Sequence, residues 1–211
     1  TSPNFFIYDE NRHSMYGIRS FYNGGTYFST FIILKSSDGG QTNSQIFETT
    51  NLNLEDLRMI DNNNGFILNR DTNQIMKTID GGINWNPISM NITITDYYYL
   101  YKMDIISNKI FVGLYTEFNK SYILISDNYG LTWNEKLITN LDSYIQNILV
   151  ISNMNIIVEL KLQGFYNMPT LFKTSDGGNT WNQILNENNQ YLFSEFSTCS
   201  FINDNVGWVA D

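Results

Sequence analysis

Thr174-Ser175-Asp176-Gly177-Gly178-Asn179-Thr180-Trp181 is the stretch from which the rest of the chain is read. Its residue types specify a tight turn between two strands. A carboxylate at 176 accepts hydrogen bonds from backbone N–H groups just downstream. Gly178 reaches a positive φ at little steric cost, and the flanking hydroxyls satisfy further loop groups. Trp181 then returns the chain to apolar surroundings, where such a side chain buries roughly 200 Å². The stretch has three upstream copies: Ser36-Ser37-Asp38-Gly39-Gly40-Gln41-Thr42-Asn43, Thr78-Ile79-Asp80-Gly81-Gly82-Ile83-Asn84-Trp85 and Ser126-Asp127-Asn128-Tyr129-Gly130-Leu131-Thr132-Trp133. The acidic position falls at Asp38, Asp80, Asn128 and Asp176, so the steps are 42, 48 and 48 residues. Repeats of this length are stacked supersecondary units, none of which buries its apolar face alone.

Strand-like runs flank each turn: Phe28–Leu34, Gln74–Lys77, Tyr122–Ile125 and Thr170–Lys173. About twenty residues upstream a second plan repeats, an apolar strand, an Asn/Asp-rich turn and another apolar strand. It is plain in Met59–Leu68, Ile105–Gly113, Val150–Val158 and Phe201–Ala210, and degenerate in Tyr8–Gly17. Two hairpins per repeat predict four antiparallel strands per unit.

The Ser/Thr-x-Asp-x-Gly-x-Thr-Trp frame resembles the Asp box, or BNR repeat, of sialidase-like β-propellers. The resemblance recurs in every repeat and implies an all-β propeller of four-stranded antiparallel blades. The box then joins the third and fourth strands of a blade and has a structural role remote from any active site. The structural box positions are Asp38, Gly40, Asp80, Gly82, Trp85, Asn128, Gly130, Trp133, Asp176, Gly178 and Trp181. Two copies depart from the pattern: Asn43 stands in place of Trp, and Asn128 in place of Asp. The first loses apolar anchoring; the second still caps a turn. Gly207-Trp208-Val209-Ala210 is similar to the propellers related to photosystem II assembly factors, a non-enzymatic branch. Expected blades span 4–49, 50–90, 91–139 and 140–186, with a partial fifth over 187–211, in one propeller domain or a fragment of a larger ring. Thr1–Asn4 is too short to complete a fifth blade.

Composition narrows the function. Aromatic residues make up 15% of the chain, Pro is scarce, and the net charge is −9 with the 12 basic residues scattered. That balance argues against nucleic acid, which requires a Lys/Arg surface. No apolar run approaches a membrane span. Cys199 has no cysteine to pair with and reads as a small apolar residue. His13, the lone histidine, has no companion for a metal site or a catalytic triad. The box carboxylates lack the alternating acids of a calcium loop. No metal and no cofactor is expected.

The resemblance places ligands at the end opposite the boxes, at the loops between second and third strands and between blades. These are Phe21–Tyr27, Asn69–Asn73, Ile94–Tyr99, Tyr115–Lys120, Leu162–Met168 and Asn186–Tyr191. Tyr22, Tyr27, Tyr98, Tyr115, Phe118, Phe165 and Tyr166 are the candidate ligand-binding residues there, suited to stacking on sugar rings or forming a protein contact. A sialidase requires three arginines clamping a carboxylate, a Tyr nucleophile with a Glu partner, and an acidic Asp. Only Arg12, Arg19, Arg58 and Arg70 exist, none after residue 70. A xyloglucanase-like site requires only two carboxylates, for which Asp71, Asp96, Glu117 and Glu187 are candidates that spacing does not pair. No catalytic residue is therefore assigned. The expected role is a non-catalytic interaction or assembly module, extracellular, periplasmic or at the cell surface as the resemblance implies, binding a protein or glycan. The alternatives are a fragment of a propeller glycoside hydrolase and a structural component of a surface or virion assembly.

Overall fold

The computed structural model describes residues 5–8, 14–22, 29–50, 52–118, 120–162, 169–185, 198–203 and 206–210. All regular structure among them is β. Contacts divide the chain into two units, Thr1–Met90 and Asn91–Asp211. The first unit holds two four-stranded sheets. One runs β1 (Phe5–Tyr8), β2 (Met15–Tyr22), β3 (Ser29–Ser36) and β4 (Ser44–Thr49); the other runs β5 (Leu54–Met59), β6 (Gly65–Asn69), β7 (Gln74–Thr78) and β8 (Asn86–Pro87). The second unit repeats the plan with β9 (Tyr98–Ile106), β10 (Lys109–Thr116), β11 (Ser121–Ser126) and β12 (Asn134–Thr139), then β13 (Ser143–Val150), β14 (Ile156–Leu162), β15 (Pro169–Thr174) and β16 (Asn182–Leu185). A final hairpin pairs β17 (Thr198–Asn203) with β18 (Val206–Ala210). Each strand pairs antiparallel with the next in its sheet, so each sheet is a four-stranded meander and the fifth is half formed. This is the all-β propeller-blade architecture, and each box lies between the third and fourth strands.

Within each unit two sheets share a core. In the first, Tyr16, Ile18 and Ile33 of one sheet meet Leu54, Leu57, Met59, Ile67, Met76 and Trp85 of the next. In the second, Phe111, Ile123, Ile125 and Ile138 meet Ile145, Ile148, Ile156, Val158, Leu160 and Phe172. Each fully buried aliphatic or aromatic side chain contributes about 1.5–3 kcal/mol, which makes this packing the main reason the sheets stack. Polar bonds set the stacking register. Ser14 Oγ donates to Asn62 Oδ1 at 2.8 Å in the first unit. In the second, the Val150 amide donates to Asp104 Oδ2 at 2.9 Å, and the buried Ser121 and Ser143 hydroxyls lie 3.0 Å apart.

One device was not legible in the repeat. The first strand of three sheets carries a bulge at a corresponding place, where the register shifts across Asp56, Tyr101 and Gln146. Bulges re-aim a side chain and sharpen the local twist. Asp56 adopts φ 39° there.

Candidate functional site

The four boxes share one hydrogen-bond plan. The hydroxyl of Ser36, Thr78 or Thr174 donates to the Asp two residues on at 2.8 Å, and accepts the amide of Gly40, Gly82 or Gly178 at 2.8–2.9 Å. Each Asp also accepts the backbone amide four residues on, at Thr42, Asn84 and Thr180, at 2.9 Å. Its second oxygen accepts the Thr42 or Thr180 hydroxyl or the Asn84 amide, at 2.6–2.7 Å. Two successive residues take positive φ in every box: Gly39 and Gly40, Gly81 and Gly82, Tyr129 and Gly130, Gly177 and Gly178. The sequence reading anticipated only the second of each pair. Tyr129 holds a conformation costing a non-glycine residue about 1 kcal/mol.

Donors concentrated on one carboxylate favour its charged form. The Thr42 hydroxyl and amide, with Ser36, hold Asp38 down at a pKa of about 2. The Thr180 amide and hydroxyl, with Thr174, hold Asp176 at about 2. Asp80 is lowered too, chiefly by the Asn84 amide and side chain. Carboxylates so saturated by their own loop serve as turn caps, not as proton donors near neutral pH. The third box solves the problem without charge: Asn128 Oδ1 accepts the Thr132 amide at 2.9 Å, and its Nδ2 donates to the Thr132 hydroxyl at 2.8 Å. Trp85 and Trp181 return their indole N–H to the box carbonyls of Gly82 and Gly178, at 3.0 and 3.2 Å. The buried Trp133 Nε1 has no such partner, and Asn43 is exposed.

At the opposite end of the second unit the structure gathers tyrosines. Tyr99 and Tyr115 stack at 5.1 Å between centroids with 22° between planes. Tyr97 meets Tyr99 edge-on at 5.1 Å. The bulged Tyr101 lies 6.2 Å from Tyr115 and 6.0 Å from Tyr144, and Tyr115 lies 6.4 Å from Tyr144. Antiparallel register makes the cluster, since Tyr99 is the cross-strand partner of Tyr115 and Tyr98 of Thr116. Tyr98 and Tyr115 therefore sit in strands β9 and β10 rather than in the loops expected for them. Tyr98 is half-buried, and burial raises its hydroxyl pKa. The Glu117 amide donates to the Tyr97 carbonyl at 2.9 Å, which ties the β10–β11 turn to the segment entering β9. Tyr97 and Phe118 stand outermost, 55% and 65% exposed.

Of the sequence candidates, Tyr115 joins this cluster, and Phe118 follows Glu117 in the turn tied to it. Tyr22 ends β2 in the other unit. Tyr27, Phe165 and Tyr166 lie outside the described residues, as do His13 and Glu187. The sequence reading did not single out Tyr97, Tyr99, Tyr101 and Tyr144. The signal was the alternation of Tyr97, Tyr99 and Tyr101 around the buried Leu100. Asp96 and Glu117 adjoin the cluster through Tyr97, whereas Asp71 is an exposed loop acid in the first unit, 3.3 Å from Asn53 Nδ2. The described arginines are engaged separately. Arg58 pairs with Asp56 at 2.5 Å, Arg70 with Glu55 at 3.6 Å, and Arg19 lies over the Phe21 ring at 5.6 Å. Among the described residues no group of His, Cys, Asp and Glu is arranged to hold a metal, and no helix is long and apolar enough to cross a membrane.

No protein-family model matches the sequence, and no curated protein matches it either. Solved structures do. The GH74 xyloglucanase from Xanthomonas campestris aligns with a TM-score of 0.63 at 14% identity, over 85% of this chain and 30% of that one. The Trypanosoma rangeli sialidase aligns at 0.60 and 13%, over 85% and 37%. The β-propeller domain of the Trilobed protease from Pyrococcus furiosus aligns at 0.55 and 15%, over 89% and 54%. The chain has the sialidase-like β-propeller fold, with Asp-box turns between the third and fourth strands of its blades. It spans about a third to a half of the length of these three structures, and at such identities the likeness defines the fold and nothing finer.

Proposed function

We propose that the chain is a non-catalytic propeller module, extracellular, periplasmic or at the cell surface, that engages a protein or glycan through its tyrosine-lined end. The observation carrying this reading is the cluster of Tyr97, Tyr99, Tyr101, Tyr115 and Tyr144, with Tyr97 and Phe118 projecting into solvent at its rim. Rigid aromatic side chains give large contact area at low entropic cost and dominate interface energetics. The box carboxylates are consumed by their own turns. A glycan array, together with photo-crosslinking from a benzophenone amino acid at position 118, tests the reading. Binding or crosslinking that Tyr97→Ala abolishes supports it. Glycan binding unaltered in a Tyr97→Ala/Phe118→Ala chain, or crosslinking from position 118 unaltered by Tyr97→Ala, contradicts it.

One observation favours a second reading, a glycoside hydrolase fragment. Asp96 and Glu117 are carried by two segments that the Glu117–Tyr97 hydrogen bond holds together, and glycoside cleavage needs two carboxylates astride one bond. Incubation with xyloglucan and with sialyl substrates decides this. Turnover lost in both Asp96→Asn and Glu117→Gln would establish the hydrolase and displace the first reading.

A further inference from the structure

We propose that Asn91 is the acceptor of an N-linked glycan. The inference rests on the export proposed above for the module, and adds a covalent modification outside the tyrosine cluster. Two stretches of the chain have the Asn-x-Ser/Thr pattern that glycan transfer requires, Asn91-Ile92-Thr93 and Asn119-Lys120-Ser121. The structure separates them. Ser121 is fully buried in β11, where its hydroxyl donates to the Ser143 carbonyl at 3.1 Å and lies 3.0 Å from the Ser143 hydroxyl. The hydroxyl that the second stretch must present is therefore sealed between β11 and β13. Asn119 itself lies outside the described residues.

The first stretch is open. It lies within residues 88–97, which join β8 to β9 and belong to neither strand. Exposure alternates along it: Asn91, Thr93 and Thr95 are exposed, whereas Ile92 and Ile94 are half-buried. The two side chains that transfer needs, the Asn91 amide and the Thr93 hydroxyl, are thus both on the solvent side. Asn91 takes φ 47°, a left-handed corner that Asn tolerates better than most residues. Among the described residues nothing bonds its side-chain amide.

Thr93 is clasped by one carboxylate. Its hydroxyl donates to Glu135 Oε2 at 2.9 Å, and its backbone amide donates to Glu135 Oε1. The clasp does not obstruct modification during synthesis, because Glu135 follows Thr93 by 42 residues and is made later. Glu135 lies in β12, an edge strand of its sheet. The clasp therefore fastens the glycan-bearing segment to a sheet edge, where a bulky hydrophilic group opposes pairing with other chains.

The transfer balances without an oxidant. Asn91 Nδ2 attacks the anomeric carbon of a lipid pyrophosphate-linked oligosaccharide. The N–C bond forms as the C–O bond to pyrophosphate breaks, one amide proton passes to a base of the transferase, and the lipid pyrophosphate leaves.

Two measurements on the whole chain test the proposal. In the first, the chain is translated behind a secretion signal in the presence of microsomes. The expected result is a single glycosidase-sensitive mobility shift, lost in Asn91→Gln and Thr93→Ala, restored by Thr93→Ser and kept in Asn119→Gln. In the second, protein recovered from the cells that make it is treated with peptide N-glycosidase in heavy-oxygen water and cut with trypsin. The expected peptide spans 78–102 and carries labelled aspartate at position 91.

No shift, or a shift that survives Asn91→Gln, would overturn the inference. An unlabelled position 91 in protein collected outside the cell also overturns it, and leaves the interaction-module reading to its own crosslinking test. An unlabelled position 91 in protein found only inside the cell overturns the proposed export and the glycan together.

Discussion

Replacing Gly113 by Ala would set a methyl group 2.6 Å from Ile145 Cδ1 and 3.1 Å from both Ile145 Cγ2 and Ile148 Cδ1. Gly113 lies in β10 and the two isoleucines in β13, so the clash falls where the two sheets of the second unit stack. Ile145 and Ile148 are both buried, and a filled core yields only at a cost of about 1–3 kcal/mol. Against this, Ala restricts the unfolded chain more than Gly does, which returns about 0.4–1 kcal/mol. The net expectation is a loss of about 1–2 kcal/mol. Ile145→Val deletes the Cδ1 atom that meets the new methyl and by itself costs about 0.5–1.5 kcal/mol. If the clash is as described, the two changes are not additive, and the double variant matches Ile145→Val within about 0.5 kcal/mol. Urea unfolding followed by tryptophan fluorescence gives all four corners of the cycle. A Gly113→Ala chain as stable as the parent, or a double variant whose losses simply sum, would refute the proposed stacking of these sheets.

Further expectations follow from the boxes. Thr174→Ala removes the acceptor of the Gly178 amide and a donor to Asp176; leaving that buried amide unsatisfied should cost about 1–3 kcal/mol in urea unfolding. Trp85→Ala empties a core position and should cost about 3–5 kcal/mol, whereas Asn43→Ala, at the exposed equivalent position, should change stability by less than about 0.5 kcal/mol. Asp38 and Asp176 have folded-state pKa values of about 2, below the ordinary carboxylate value. Their contribution is therefore complete above about pH 4 and is lost as pH falls toward about 2; stability measured across that window should decline less steeply in Asp38→Asn/Asp176→Asn. Asn128→Asp should leave neutral-pH stability nearly unchanged and add an acid-labile step, since Asp can accept the same Thr132 amide.

The fold was largely legible because the box is a local device. Its carboxylate, hydroxyls and glycines satisfy one another within eight consecutive residues, so composition and spacing alone reveal it. The second positive-φ residue was hidden because Tyr129 fills in the third box a place that Gly fills elsewhere. The tyrosine cluster was only half legible. Tyr98, Tyr115 and Phe118 were picked out as aromatic loop residues, but strand pairing decides which rings meet. It sets Tyr99 opposite Tyr115, and the bulged Tyr101 forms a triangle of rings with Tyr115 and Tyr144. Register over such distances depends on which faces are buried, and no single stretch of sequence encodes it. The tie between Glu117 and Tyr97 was invisible for the same reason: one backbone hydrogen bond between two loops produces it.

The four boxes are closed hydrogen-bonded corners that shape the blades. Native-state hydrogen exchange of the Gly40, Gly82, Gly130 and Gly178 amides tests it most directly, because each donates to the box hydroxyl at 2.8–2.9 Å. The expectation is protection of all four comparable to the adjoining strands, lost at Gly178 alone in Thr174→Ala. Exchange at the rate of an unstructured loop, in a chain whose strands stay protected, would contradict the claim.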